Sequence, residues 1–197
     1  MRSIVLARHG ESVFSAIGVL NGDVSVSGGL TPQGVEQARA LGGRLRDVPL
    51  DLVVTSALER AIVTADEATR GSDLPRLVLP ELNDPLYGRY ENARIEEYRA
   101  WAGAFPSSES PGEGGESRYA ILERYARAYR TLLERPEESI LAVSHSLPIA
   151  YALTAREGRD PSPRMPFAEY ATPYPFTAQE LARVVEVLER WLTAPTF

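Results

Sequence analysis

Hydrophobic positions in this chain follow two rhythms. Short continuous apolar runs at Ser3–Ala7, Leu52–Thr55, Leu77–Leu79 and Ile140–Val143 read as strands, the first and last of them buried. Between them, apolar residues recur at helical spacing. Thr31-Pro32 opens one helix, with Thr31 as N-cap and proline in the first turn, and Val35, Ala38, Leu41 and Leu45 carry it through Arg46. Ser56 and Glu59 have the spacing of a capping box for a helix over Ala57–Thr69. A long helix is predicted over Ser117–Glu134, with Leu122, Tyr125, Ala126, Tyr129, Leu132 and Leu133 as its apolar stripe. Another runs from Leu147 to Glu157, and a last one, capped by Thr177 and Glu180, ends near Leu192. The middle of the chain, Pro80–Glu116, breaks the rhythm. It holds a short helix near Asn92–Ala102 and then Phe105–Gly115, nearly all turn residues, which reads as a mobile loop. No internal repeat is visible.

Strands that alternate with helices predict an α/β fold: a mostly parallel central sheet covered on both faces, a three-layer sandwich formed by residues 1–197 as one domain. Residues 84–116 are expected to act as a lid or substrate loop. In such sheets, ligands sit beyond the carboxyl ends of the strands. The two histidines of the chain, His9 and His145, both fall at such ends.

Composition narrows the chemistry. With no cysteine, disulfides and thiolate metal sites are excluded. A net charge of −6 argues against a nucleic-acid surface. No apolar run approaches membrane-spanning length, and Met1–Ala7 lacks the basic start, long apolar core and cleavage site of a signal peptide, so a cytoplasmic location is the default expectation. There is no lysine, so every positive side chain is arginine. Biased codon use accounts for that most simply. Even so, any anion site here must be built from guanidinium forks, which grip phosphate at two points. With two histidines, a metal site would be largely carboxylate, and neither metal nor cofactor is predicted.

Arg8-His9-Gly10-Glu11 contains what a phosphate-accepting histidine needs: an imidazole, a permanent cation beside it, and a glycine that lets phosphate approach the backbone. Taken alone, such a histidine is more often a packed strand-end residue. Arg60 follows the second strand on the first turn of a helix and can face the same sheet edge. His145, in Val143-Ser144-His145-Ser146, follows another strand; it can donate to phosphate oxygens, and Ser146 can add a donor from a helix start.

Together, the R-H-G-E after the first strand, the S-x-x-x-R-A-x-x-T-A from Ser56 and the S-H at Ser144-His145 resemble the histidine phosphatase superfamily, the group that includes the cofactor-dependent phosphoglycerate mutases. The resemblance runs from Ser3 to about Glu157. It implies a phosphoglycerate mutase-like fold, His9 as nucleophile, and Arg8, Arg60 and His145 as the rest of the phosphate pocket. It also implies a carboxylic acid between the second and last motifs, where many members read E-x-x-x-G-x-x-E-G. Within Pro80–Glu91, Glu81 is the preferred acid and Asp84 the alternative; Glu81 leaves extra residues before Gly88, and Asn92 stands where the final glycine is usual. Ser15 replaces a common asparagine, and Asn21-Gly22 corresponds to a loop that contributes to binding, so Ser15, Asn21, Gly22 and Ser146 are the candidate substrate contacts. The implied activity is hydrolysis of a small phosphorylated metabolite through a phosphohistidine, releasing inorganic phosphate, without metal, nucleic acid or membrane. Homo-oligomerisation stays open. A phosphoglycerate-type mutase and a non-catalytic phosphate-binding protein are the alternatives; the first lacks the histidine expected in its substrate loop, and the presence of His9 argues against the second.

Overall fold

The computed structural model describes residues 3–197; Met1 and Arg2, at the start of the first apolar stretch, lie outside the described residues. Five strands and seven helices follow in the order β1 (Ser3–Arg8), α1 (Val13–Ala16), α2 (Pro32–Arg44), β2 (Leu52–Thr55), α3 (Glu59–Ala68), β3 (Arg76–Val78), α4 (Ile95–Ala104), α5 (Arg118–Glu134), β4 (Ser139–Ser144), α6 (Ser146–Arg156), β5 (Pro173–Thr177) and α7 (Ala178–Thr193). The sheet order is β3-β2-β4-β1-β5, with β5 antiparallel to β1 and the other pairs parallel.

Strand periodicity divides the interior. Ile4, Leu6, Leu52, Val54, Ile140 and Ala142 face a core shared with α5, α6 and α7. Their odd-numbered neighbours Val5, Ala7, Val53, Leu141 and Val143 face a second core, closed by Leu41 and Leu45 at α2 and by Ala61 and Ala65 of α3. β1, β2 and β4 are apolar on both faces because both faces are covered, which is why these strands read as continuous runs rather than alternating ones; the edge strand β3 is largely exposed.

Strand β5 falls in a stretch without an apolar run; its Pro173 and Pro175 are tolerated at the sheet edge, where a missing N–H breaks no ladder. One local expectation, the cap of α3, is corrected. Helix α3 starts at Glu59, and Ser56 and Glu59 form no capping box. The Ser56 hydroxyl meets His145 Nε2 at 2.8 Å, while the Glu59 carboxylate accepts from Ser27 Oγ at 2.6 Å and the Gly28 amide at 2.9 Å. The Phe105–Gly115 segment consists of turns, as its composition predicts, with Glu109 N–H donating to Pro106 O and Gly115 N–H to Gly112 O. The caps at Thr31 and Thr177 form as expected.

Register positions the site. Arg8 lies beside Ser144 and Thr55 beside Val143, so His9, Ser56 and His145 emerge together at one sheet edge. The His9 amide extends this pairing by donating to Ser144 O at 2.9 Å. Above that edge, Leu20, Tyr87, Tyr98, Trp101 and Ala102 make a third apolar cluster, drawn largely from the 84–116 segment.

Helix α2 is pressed against the turn after β1. A Cβ at Gly34 would lie 2.0 Å from Glu11 O, and one at Gly10 would lie 2.3 Å from Gly34 O. Gly43, on the same helix, meets nothing within 4 Å. Gly43→Ala should therefore stabilise the protein by up to about 1 kcal/mol through helix propensity. Gly34→Ala should destabilise it by about 1–3 kcal/mol through overpacking against backbone. Urea unfolding of the two variants checks the opposite signs; stabilisation by Gly34→Ala would contradict the close packing.

Candidate active site

The chain leaves β1 at Arg8 and turns at Gly10, whose amide donates to Thr64 Oγ1 at 2.9 Å; that hydroxyl donates in turn to Arg60 O at 2.7 Å. This fixes His9 over the sheet edge. His9 Nδ1 lies 2.6 Å from Gly10 O. A carbonyl only accepts, so Nδ1 carries the hydrogen and Nε2 is left with a lone pair. Arg60 Nε–H points at that Nε2 from 3.3 Å. His9 is 3% exposed, and its pKa lies well below the ordinary histidine range, through burial first and then the charges of Arg60, His145 and Arg8. The ring is thus a neutral imidazole with its nucleophilic nitrogen beside a cation.

Arg60, 4% exposed at the start of α3, holds several parts of the site at once. Its Nη1 donates to Asn21 Oδ1 at 3.0 Å, and its Nη2 donates to Asn21 O at 2.9 Å and to Asp84 Oδ2 at 2.8 Å. Arg8 donates from Nη1 to Ala168 O at 2.8 Å and lies 3.7 Å over the Tyr170 ring, while its buried Nε has no partner. His145 is fully buried, with its ring centre 5.2 Å from that of His9. Burial, then Arg60, Arg8 and Arg124, hold its pKa well below the usual value. Ser56 Oγ lies 2.8 Å from His145 Nε2 and also accepts from the Leu58 amide at 3.4 Å. His145 Nδ1 has no hydrogen-bond partner and faces Asp84 Oδ2 at 3.5 Å; a carboxylate only accepts, which favours the hydrogen on Nδ1 and leaves Nε2 to accept from the Ser56 hydroxyl.

The candidate acid is redrawn. Glu81 sits in a one-turn 3-10 helix, Pro80–Leu82, which buries Leu82 and leaves the Glu81 side chain outside the cavity; its backbone carbonyl accepts from Arg124. Asp84 lines the cavity and pairs with Arg60. The signal was present in the sequence. Counting back from Gly88, which has φ of 57°, Asp84 rather than Glu81 stands at the first position of the E-x-x-x-G-x-x-E-G pattern, with Glu91 at the second. Glu91 is a clamp: it accepts from the Gly22 amide at 3.0 Å and the Tyr87 amide at 2.8 Å. Glu116 accepts from the Leu86 amide and from Arg124.

Of the expected binding residues, Ser15, Asn21 and Ser146 line the cavity. Ser15 is engaged in the α1 capping box with Ser12, and Ser146 Oγ accepts from the Ala168 amide at 2.8 Å. Gly22 does not line it. Its backbone packs against Pro85, where a Cβ would lie 1.8 Å from the carbonyl oxygen. Ser56, Tyr170 and Arg118 belong to the surroundings without having been singled out in the sequence. Ser56 directly follows β2, which is the signal that could have found it.

The cavity has a volume of about 400 Å³ and is lined by five arginines (Arg8, Arg60, Arg99, Arg118 and Arg164) against one carboxylate, Asp84. In a chain of net charge −6, that is a local reversal of sign suited to an anion. Among the described residues, no group of three or more histidine and acidic side chains is placed to hold a metal ion.

Residues 4–171 match the model of the histidine phosphatase superfamily, branch 1. The adenosylcobalamin/alpha-ribazole phosphatase of Salmonella typhimurium is 34% identical over 165 residues, covering 76% of this chain and 78% of that protein. A 2,3-bisphosphoglycerate-dependent phosphoglycerate mutase of Thermobifida fusca is 34% identical over 167 residues, covering 77% and 66% respectively. The crystal structure of the alpha-ribazole phosphatase from Shigella flexneri superposes with a TM-score of 0.74 at 28% identity, covering 88% of this chain and 89% of that one.

Both histidines are held neutral in the folded state. In the unfolded chain a histidine protonates near pH 6.5, so lowering the pH through that value stabilises only the unfolded state. Two such groups should remove about 2–3 kcal/mol of folding stability between pH 7.5 and 5.5. Urea unfolding in phosphate-free buffer should show this extra loss in the wild type relative to His9→Asn/His145→Asn. Parallel pH dependence in the two proteins would contradict the neutral assignment.

Proposed function

Since the chain belongs to the histidine phosphatase superfamily, we propose that it hydrolyses phosphate monoesters through a phosphohistidine on His9. One observation carries this reading: the lone pair of a neutral, buried imidazole converges with Arg60 and with two buried donors that lack partners, Arg8 Nε and His145 Nδ1. A buried donor left unpaired is costly, and the oxygens of a bound phosphate would satisfy both.

In the first step His9 Nε2 attacks phosphorus while the bond to the ester oxygen breaks. Asp84 protonates the departing alcohol. The bound phosphate competes with Asp84 for Arg60 Nη2, so binding frees the carboxyl for proton transfer. The Nδ1–H bond to Gly10 O supports the positive charge that the ring acquires. In the second step Asp84 takes a proton from water, the oxygen attacks phosphorus, the P–N bond breaks, and inorganic phosphate leaves with His9 neutral again. Arg8, Arg60 and His145 offset charge on the equatorial oxygens throughout. Asn21 acts by fixing Arg60, and Ser56 by fixing the hydrogen of His145.

Apolar side chains on the cavity wall, among them Phe14, Leu20, Ile95 and Phe167, favour an alcohol with a ring or other apolar body. A nucleoside-like ester, as in the name of the alpha-ribazole phosphatase relatives, fits that wall. Among the described residues no helix is long and apolar enough to cross a membrane; we place the enzyme in the cytoplasm, acting on a small dissolved ester.

Brief reaction with labelled p-nitrophenyl phosphate and alkaline quenching should trap an acid-labile phosphoryl group on His9. His9→Ala should abolish both trapping and turnover, and His145→Ala should slow turnover by ~10²- to 10³-fold. Label on His145 or on a serine would overturn the assignment of the nucleophile. Asp84→Asn should slow alkyl phosphates far more than p-nitrophenyl phosphate, whose phenolate needs little protonation, whereas Glu81→Gln should follow wild type. The reverse pattern would return the acid role to Glu81. Activity should persist in EDTA; loss that a divalent ion restores would contradict metal-independent chemistry.

A further inference from the structure

Asp84 is held in place by neighbours on both sides of it. It stands between Asn83 and Pro85, and a following proline disfavours helical backbone at the residue before it. Asn83 is fixed from two directions. Its Oδ1 accepts from the Ala57 amide at 2.7 Å, in the turn before α3. Its carbonyl accepts from Arg124 Nη1 at 2.8 Å and from Tyr125 Oη at 3.0 Å. Leu86, two residues beyond Asp84, is held through both of its backbone groups by one residue. Its amide donates to Glu116 Oε2 at 3.0 Å, and its carbonyl accepts from the Glu116 amide at 2.8 Å.

Arg124 joins these two anchors. Its Nε and Nη2 grip the Glu116 carboxylate at 2.7 and 2.8 Å, a two-point pair, while Nη1 donates to Glu81 O and Asn83 O, both at 2.8 Å. All three nitrogens of the side chain are therefore engaged on the segment that carries Asp84 or on its partner Glu116. The pair is largely shielded from solvent, with 14% of the Arg124 side chain and 21% of the Glu116 side chain exposed. The base of this brace is rigid, because Leu122, Tyr125 and Tyr129 of α5 are fully buried in the core beside the sheet. Arg124 does not line the cavity, so it does not touch the substrate.

We propose that Arg124 is a positioning residue for the proton-transfer steps: by bracing Asn83 directly and Leu86 through Glu116, it holds the Asp84 carboxyl at the place where it meets the ester oxygen. This role rests on the phosphatase reading above and adds to it a residue outside the cavity. Arg60 also binds Asp84, but a bound phosphate competes for that bond, so the backbone anchors keep the carboxyl in place during reaction. Proton transfer is sensitive to such placement, since a shift of about 1 Å can cost ~10²-fold.

The ratio of kcat/KM for p-nitrophenyl phosphate to that for an alkyl phosphate reads leaving-group protonation and tests this. In Arg124→Met, which keeps the apolar stem and removes the fork, the ratio should rise by ~10- to 10²-fold, towards that of Asp84→Asn. In an Asp84→Asn background, Arg124→Met should not raise it further, because no carboxyl is left to place. Arg124→Lys keeps the charge without the fork, so its ratio should stay ~3-fold or more above wild type. Arg127→Gln, three residues on and paired with Glu123 at the surface, should keep the wild-type ratio. Each ratio is internal to one protein, so a general loss of activity does not imitate the result. If Arg124→Met does not fold, Arg124→Lys decides. An unchanged ratio in Arg124→Met, a further rise in the double variant, or a wild-type ratio in Arg124→Lys would overturn the proposal. Failure of the wild type to hydrolyse p-nitrophenyl phosphate would instead overturn the phosphatase reading beneath it.

Discussion

Burying the Arg60 guanidinium at the end of the sheet requires acceptors for its N–H groups, because a charge held out of water without them is costly. The surrounding chain supplies them: His9 Nε2, both oxygens of Asn21, and Asp84. Each acceptor comes from a different segment, so satisfying one cation draws together the turn after β1, the loop at residue 21 and the segment after Pro80. The clamps around it follow the same logic. Glu91 ties Gly22 to Tyr87, Glu116 ties Leu86 to Arg124, and Asn83 Oδ1 accepts from the Ala57 amide at 2.7 Å. The segment that carries Asp84 is thereby held at several points.

Burial, and after it the same cation, fix the resting chemistry. Together they hold the His9 ring neutral, and the Gly10 carbonyl selects which nitrogen carries the hydrogen. His145 reaches the same end by another route, through the Ser56 hydroxyl. Neither ring needs a charge of its own, since the arginines are permanent. The sign reversal between an acidic chain and an arginine-lined cavity extends beyond the reacting centre to Arg99, Arg118 and Arg164.

The fold supports this with rigid parts. Covering the sheet on both faces excludes water from β1 and β4, and their register carries two histidines from sites 136 positions apart in sequence to a centre-to-centre distance of 5.2 Å. Close backbone contact between Gly10 and Gly34 keeps the turn that carries His9 against α2, with no side chain between them.

Most of this architecture was legible in the chain itself. Continuous apolar runs identified four strands, helical spacing and caps at Thr31 and Thr177 identified the main helices, and the motifs around His9, Arg60 and His145 pointed to side chains that the fold brings together. These signals are local: strand burial, helix caps and strand-end turns depend on residues near one another in sequence. What the sequence left open depended on distant partners. Strand β5 carries Pro173 and Pro175, and only the sheet order shows that it is an edge strand able to tolerate them. Ser56 read as a cap because its partner, His145, lies 89 positions away. Glu81 and Asp84 are three residues apart and alike in chemistry, and only the turn at Pro80–Leu82 turns one away from the cavity and the other towards Arg60. Arg118 read as an ordinary helix residue; its unpaired nitrogens exist only because the packed chain excludes water and provides no carboxylate there.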